Sequence, residues 1–324
     1  TAGMTKRRLS QQQQRRIRAS RERTVAASDN ESIGAEQTGL VIARYGKRAL
    51  IEDDAGQRQQ CHLRANTDSL VAGDKVVWTE SDGAGVVLAR RDRQSVLSRP
   101  DPRGNLRPVA ANIDLMLIVI APKPEAHANL IDRYLVAAES EGIDAALVLN
   151  KADLLSDNDP LNTLLASYET LGYPTVHTGI NDPHADALTP VIRGKTLVLV
   201  GQSGVGKSSL VQRLLPDIDI RIGALSEAID KGKHTTTAAE LYHLPAGGQL
   251  IDSPGIREFH LHHLPAAHIA FGFKEFLPFL GSCKFRDCQH DHETDCAILN
   301  ALEQGAISQQ RFESYRQIVA MAES

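Results

Sequence analysis

Gly201-Gln202-Ser203-Gly204-Val205-Gly206-Lys207-Ser208, which follows the apolar run Thr196–Val200, decides the fold of this chain. Its glycines let the backbone turn so that successive N–H groups converge on one anion, an approach that a Cβ would block. Lys207 is placed to reach the β- and γ-phosphates of a nucleotide. Ser208 can set its hydroxyl on Mg²⁺, and Ser209 opens a helix whose positive end faces the same phosphates. A second motif, Asn150-Lys151-Ala152-Asp153, ends another apolar run, Ala145–Leu149. The Asp153 carboxylate suits paired hydrogen bonds from the N1–H and exocyclic amine of guanine, whereas adenine presents the opposite pattern and would leave buried groups unpaired. Asn150 is expected to order the loops and the Lys151 stem to cover the base. A guanine loop ordinarily follows the phosphate loop. Here it precedes it, which points to a circularly permuted GTP-binding domain.

The third element is Asp252-Ser253-Pro254-Gly255, after the apolar Leu250-Ile251. Asp252 can hold a magnesium-bound water, and the Gly255 N–H can contact the γ-phosphate and sense its loss. The hydroxyl-rich Lys231-Gly232-Lys233-His234-Thr235-Thr236-Thr237 lies between. One of its threonines, with Thr236 as the choice, is expected to complete the magnesium shell; a plain Thr-rich approach to a strand is the alternative. Ile256 stands where many GTPases carry a glutamine that orients the attacking water, and it cannot do so by hydrogen bonding.

At 324 residues and 42% hydrophobic content the chain can hold two or three domains, since one core rarely grows past roughly 250 residues. Leu115–Ile120, Ala145–Leu149 and Thr196–Val200 are continuous apolar runs, as parallel strands covered on both faces require. An amphipathic helix, Asn129–Ser140, falls between the first two, and the rhythm indicates a doubly wound α/β domain over residues 99–268. No apolar run approaches the roughly 18 residues of a membrane span and no secretory stretch opens the chain, so a cytoplasmic protein without a membrane partner is expected, as a monomer. Thr1-Ala2-Gly3 precede Met4, the expected native start.

Residues 37–98 read differently. Short apolar runs (Leu40–Ile42, Ala49–Ile51, Val76–Trp78, Val86–Leu88) are broken by turn residues, which predicts a small β-barrel, an OB-fold or an SH3-like barrel. The basic residues Arg44, Lys47, Arg48, Arg58, Arg64, Arg90, Arg91 and Arg93 fit either a nucleic-acid surface or an ordinary solvated face. Cys61 reads as a small buried hydrophobe. Residues 1–36 carry a basic, Gln-rich start with Lys6, Arg7, Arg8, Arg15, Arg16, Arg18, Arg21 and Arg23 against Glu22, in a chain of net charge −4. So apolar-poor a segment is expected to be disordered alone and to order on RNA, or to serve only solubility.

Cys283, Cys288, His290 and Cys296 form a C-x4-C-x-H-x5-C cluster that suits one closed, structural Zn²⁺ site, with His292 as the competing nitrogen ligand. Phe271, Phe273, Phe276, Leu277, Phe279 and Leu280 offer a core for a mainly helical zinc domain over residues 269–324, closed by a helix at Gln309–Ala322. Exposed Lys284 and Arg286 add basic charge beside it.

The order of guanine loop, phosphate loop, Thr run and Asp-Ser-Pro-Gly, behind a barrel and ahead of the Cys/His cluster, resembles the bacterial ribosome small-subunit-dependent GTPase A family. Leu130-Ile131-Asp132-Arg133-Tyr134 and the stretch from Gly201 to Ser209 are close to that family's text. The resemblance implies an N-terminal OB-fold, a permuted GTPase domain and a C-terminal zinc domain. It also implies GTP hydrolysis to GDP, stimulated by the 30S subunit and its rRNA in late maturation, with nucleotide state controlling docking and release. It assigns the water-orienting role to His234, a histidine before the Thr run. The fifth GTPase element, Ser-Ala or Ser-Ser in the family, corresponds to Pro174-Thr175-Val176-His177-Thr178-Gly179, with Thr178 as the stand-in. An RNA-binding assembly scaffold that binds GTP and hardly turns it over is the other reading.

Overall fold

A computed structural model describes residues 35–64, 67, 69–81, 83–101, 103–182, 184–217, 239–253, 256 and 266–323. Five strands, β1 (Gln37–Tyr45), β2 (Arg48–Asp53), β3 (Arg58–Leu63), β4 (Lys75–Ser81) and β5 (Ala84–Arg90), close on themselves in the order β1-β2-β3-β5-β4-β1. The β3–β5 pair is parallel and the other pairs are antiparallel. This closure is that of an OB-fold and settles the choice between the two barrels. Val41, Ile51, Val76, Trp78 and Val87 fill the barrel, with Cys61 fully buried among them. Burial pushes the Cys61 thiol up to about 11, as befits a hydrophobe and not a nucleophile. Of the barrel's basic residues, Arg93 is committed internally: it forks onto the buried Asp74 carboxylate at 2.7 and 2.8 Å and onto the Ser69 carbonyl.

A hairpin, β6 (Val96–Pro100) and β7 (Leu106–Ala111), leads out of the barrel. Six strands then build the central domain: β8 (Leu115–Ile120), β9 (Asp144–Leu149), β10 (Thr175–His177), β11 (Thr196–Val200), β12 (Glu240–His243) and β13 (Gln249–Asp252). Their order is β10-β9-β8-β11-β13-β12, parallel throughout except for the antiparallel edge strand β12. The continuous apolar runs are explained by two cores. Met116, Ile118, Ile120, Val198 and Val200 face one layer, while Leu115, Leu117, Val119, Leu197 and Leu199 face the other. The helices α1 (Ala128–Ser140), α2 (Pro160–Thr170) and α3 (Lys207–Leu214) cover the sheet. Helix α2 starts where Asp159 accepts from the Leu161 N–H at 3.0 Å with Pro160 in the first turn.

Strand β12 also pairs with β1 at Glu240–Ala43, so sheet and barrel are hydrogen-bonded into one eleven-stranded surface. His243 meets Glu52 of β2 beside this junction at 2.5 Å. No helix among the described residues is long and apolar enough to cross a membrane.

The C-terminal module contains α4 (Ala297–Glu303) and α5 (Gln309–Glu323). Phe273, Phe276, Phe312, Tyr315 and Ile318 form its core together with Val136 of α1. Two expected core residues fall elsewhere: Phe271 is 57% exposed and Leu277 48% exposed, because the chain there runs in short 3₁₀ turns that bury only part of an apolar stretch. A buried charge cluster joins this module to α1. Arg311 donates to Asp132 at 2.5 Å and to both oxygens of Glu275 at 2.5 and 3.1 Å, and its guanidinium lies 4.3 Å from the Phe273 ring centre. The Tyr168 hydroxyl donates to the same Asp132 oxygen at 2.5 Å. Arg311→Ala would leave two buried carboxylates without their cation and is expected to cost about 3–5 kcal/mol of stability in denaturant unfolding. A loss below about 1 kcal/mol would show that the cluster does not hold the module in place.

Candidate nucleotide site and metal centre

The phosphate loop leaves the carboxyl end of β11, the central strand, and becomes α3. Gly201 has φ 142°, and a Cβ there would lie 2.2 Å from the Val119 carbonyl oxygen. Gly206, at the helix start, has φ 95°, and its Cβ would lie 2.3 Å from Asn150 Nδ2. Neither position accepts a side chain, because strain and collision coincide. Lys207 is buried and donates to the carbonyls of Gly201 and Gln202 at 2.6 and 2.7 Å, so its charge is held inside the loop. Ser208 and Ser209 lie in the first turn of α3.

The guanine motif ends β9, two strands away and about 9.5 Å across the sheet. Asn150 bridges that gap. Its Nδ2 donates to the Val205 carbonyl at 2.9 Å, while its Oδ1 accepts from Thr178 Oγ1 at 3.0 Å and from Arg213 at 2.9 Å. Lys151, at φ 56°, extends over the phosphate loop and donates to Gly204 and Lys123 carbonyls at 2.7 and 3.0 Å. The Asp153 carboxylate is exposed and accepts from the Ile180 N–H at 3.0 Å. Thr178, the stand-in for the fifth element, is buried, and its carbonyl accepts from the Ala152 N–H at 3.0 Å. Together these loops wall a depression of about 310 Å³ lined by Asn150, Lys151, Asp153, Gly179, Ile180, Gly206, Ser209 and Arg213.

Asp252 closes β13 on the other side of β11, paired in register with Glu240. Ile256 is 1% exposed and packs in the core, so it is an anchor for the segment and not a group facing a substrate. His234, Thr236 and Gly255 lie outside the described residues, as does the basic start of the chain. The sequence reading did not single out Arg213. Its signal was a cation in the last turn of a short helix whose other end is the phosphate loop.

In the C-terminal module the ligand atoms of Cys283, Cys288, His290 and Cys296 all lie within 4.8 Å of one another. Cys283 and Cys296 sulfurs are 3.9 Å apart, and His290 Nδ1 is 3.5 and 3.4 Å from them. Tetrahedral zinc, with bonds of about 2.3 Å to sulfur and about 2.0 Å to nitrogen, requires separations of about 3.8 and 3.5 Å. The residues therefore fit a Cys3His zinc centre. His292, the competing ligand, points away: it is 86% exposed and bonded to Asp291 at 3.0 Å. Burial lowers the pKa of His290, which favours the neutral imidazole that a metal needs. Lys284 is paired with Asp295 at 2.8 Å beside the cluster.

A family profile described as RsgA GTPase matches residues 90–262. Similar proteins include the small ribosomal subunit biogenesis GTPase RsgA of Pseudomonas syringae, 52% identical over 98% of both chains, and that of Chromohalobacter salexigens, 54% identical over 98% of both. This chain belongs to the RsgA GTPase family. Two solved structures share its architecture. YjeQ from Thermotoga maritima is 29% identical with a TM-score of 0.74, covering 90% of this chain and 99% of its own. YloQ, titled a circularly permuted GTPase, is 28% identical with a TM-score of 0.71, covering 91% and 97%. As an RsgA-family member the chain is a GTPase, and its permuted loop order is the family architecture. For the metal centre, one zinc per chain is expected by elemental analysis, retained in His292→Ala and lost in Cys296→Ala. Zinc loss in His292→Ala would reassign the nitrogen ligand.

Proposed function

We propose that this chain is a Mg²⁺-dependent, ribosome-stimulated GTPase that acts in late maturation of the small (30S) ribosomal subunit. In this reading, nucleotide state controls its docking on and release from that subunit and its rRNA. The observation that carries the chemistry is the convergence of base loop, phosphate loop and Asp252 at one end of the parallel sheet, with Asn150 tying the first two together. The relatives, which bear the name small ribosomal subunit biogenesis GTPase, support the choice of partner. It works in the cytoplasm as a monomer.

GTP lies with its base over the depression beside Asp153 and its phosphates over the loop from Gly201 to Ser209. Lys207 neutralises the β- and γ-phosphates, and Gln202, Ser203, Gly204 and Val205 contribute backbone to the cradle. Mg²⁺ would supply charge neutralisation there; Ser208 and Thr236 would hold it directly and Asp252 through a water. Gly255 reads the γ-phosphate. Ile256 is locked in the core and leaves the placement of the attacking water to His234. The exposed Lys47, Arg48, Arg64 and Arg90 of the barrel give rRNA a basic face. The Cys3His module presents Phe271 to solvent, and Phe285 beside Lys284.

Hydrolysis of GTP and of ATP, each with and without purified 30S particles, tests this. Stimulated turnover of GTP alone is expected. In His234→Ala, GTP affinity should persist while stimulated turnover falls on the order of a hundredfold, as for loss of a general acid–base group. Unchanged turnover in that variant would remove His234 from the mechanism. RNA binding without any stimulation in the wild-type chain would favour the scaffold reading instead.

A further inference from the structure

The last turn of α3 sets Arg213 beneath both base-reading loops. One nitrogen, Nη1, donates to the carbonyls of Gly179 and Asp182 at 3.0 and 2.9 Å, and Nη2 donates to Asn150 Oδ1 at 2.9 Å. The segment it grips is a closed turn. The Asp182 N–H returns to the Gly179 carbonyl at 3.1 Å, and the Asp182 carboxylate accepts from the Asp186 N–H at 2.8 Å. The upper side of that turn meets Asp153: the Ile180 N–H donates to Asp153 Oδ1 at 3.0 Å, and a Cβ on Gly179 would lie 2.8 Å from the same oxygen. The Asp153 carboxylate is thus held by a turn that the Arg213 guanidinium braces from below. A planar fork with fixed donor directions serves three acceptors on two separate segments from two nitrogens, a geometry that an ammonium, a compact point charge on a flexible stem, does not reproduce.

We propose that Arg213 is a positioning residue for guanine recognition, acting through the Gly179–Asp182 turn to aim the Asp153 carboxylate. The proposal rests on the guanine-nucleotide reading above. A simpler role exists for a cation at this place, neutralising the negative end of α3, and lysine would fill it equally well.

The test uses the full chain with its zinc and measures competition by GDP, IDP and ADP against a fluorescent GDP analogue. IDP lacks the exocyclic amine, so the GDP/IDP affinity ratio reports how well the carboxylate is aimed. Wild type should favour GDP over both. In Arg213→Ala and Arg213→Lys, GDP affinity should fall on the order of tenfold, from loss of charge-assisted hydrogen bonds that hold the loop. The GDP/IDP ratio should shrink toward one while ADP binding stays unchanged. A ratio kept at the wild-type value in either variant, or full recovery by lysine, overturns the proposal. If the alanine variant fails to fold, the lysine variant alone decides by the same ratio. A wild-type chain that binds ADP as tightly as GDP would instead count against the guanine reading itself.

Discussion

The side-chain amide of Asn150 is the contact on which the site depends. A base loop and a phosphate loop that end different strands, with another strand between them, must act as one surface, and the sheet alone leaves them about 9.5 Å apart. Asn150 closes that distance with both ends of its amide, donating to the Val205 carbonyl and accepting from Thr178 and Arg213. It is 5% exposed, so each of these bonds is made where water competes poorly and an unpaired partner would be costly. Chain order is irrelevant to this contact. What matters is that β8 pairs in parallel with both β9 and β11, and a circular permutation preserves those pairings.

From this centre the molecule is tied in two directions. The C-terminal module shares a core with α1 through Val136 and is fastened by the Asp132–Arg311–Glu275 cluster. Helix α1 in turn follows the segment from Ala121 to His127, whose Lys123 carbonyl accepts from Lys151, the residue that also bridges to Gly204 of the phosphate loop. A contiguous series of contacts therefore runs from the Gly201–Ser208 loop to the Cys3His module. The barrel is joined to the central domain by a strand pairing at Ala43–Glu240, the His243–Glu52 contact and the bond from Asn112 to the Gly73 carbonyl at 2.8 Å. Ile42 and Ala72 of the barrel also lie in one buried core with Leu241 and Ile251 of the sheet, so this junction too is apolar and closed.

The sequence announced its central domain clearly because glycines at Gly201 and Gly206 and the carboxylate of Asp153 are chemical necessities at fixed spacings. Continuous apolar strands were equally plain, since both faces are covered. The Cys3His cluster was legible by spacing, but the choice between His290 and His292 needed geometry: two histidines two residues apart differ only in which way the chain turns. Three things were hidden. Hairpin β6–β7 carries Arg99, Pro100, Arg107 and Pro108, which mask the alternation of a strand. Asp132 sat in an apolar helical face as an isolated exception, and its partners Tyr168 and Arg311 are remote in sequence. Arg213 was hidden for the same reason: two of its acceptors are backbone carbonyls, which leave no trace in residue identity, and the third, the Asn150 side chain, is remote in sequence. The exposed Phe271 and Leu277 show the converse: apolar composition does not say which residues a short 3₁₀ turn will turn outward.

The permuted loops are proposed to compose a single guanine-nucleotide site. A crystal structure of the chain with Mg²⁺ and a non-hydrolysable GTP analogue tests it most directly. Guanine N1 and the exocyclic amine are expected within about 3 Å of the Asp153 carboxylate, as hydrogen bonding requires, with Lys207 in contact with the β- and γ-phosphates. The Asn150 bridge to Val205 should remain in place. A nucleotide bound with its base away from Asp153, or an Asn150 side chain withdrawn from Val205, would contradict it.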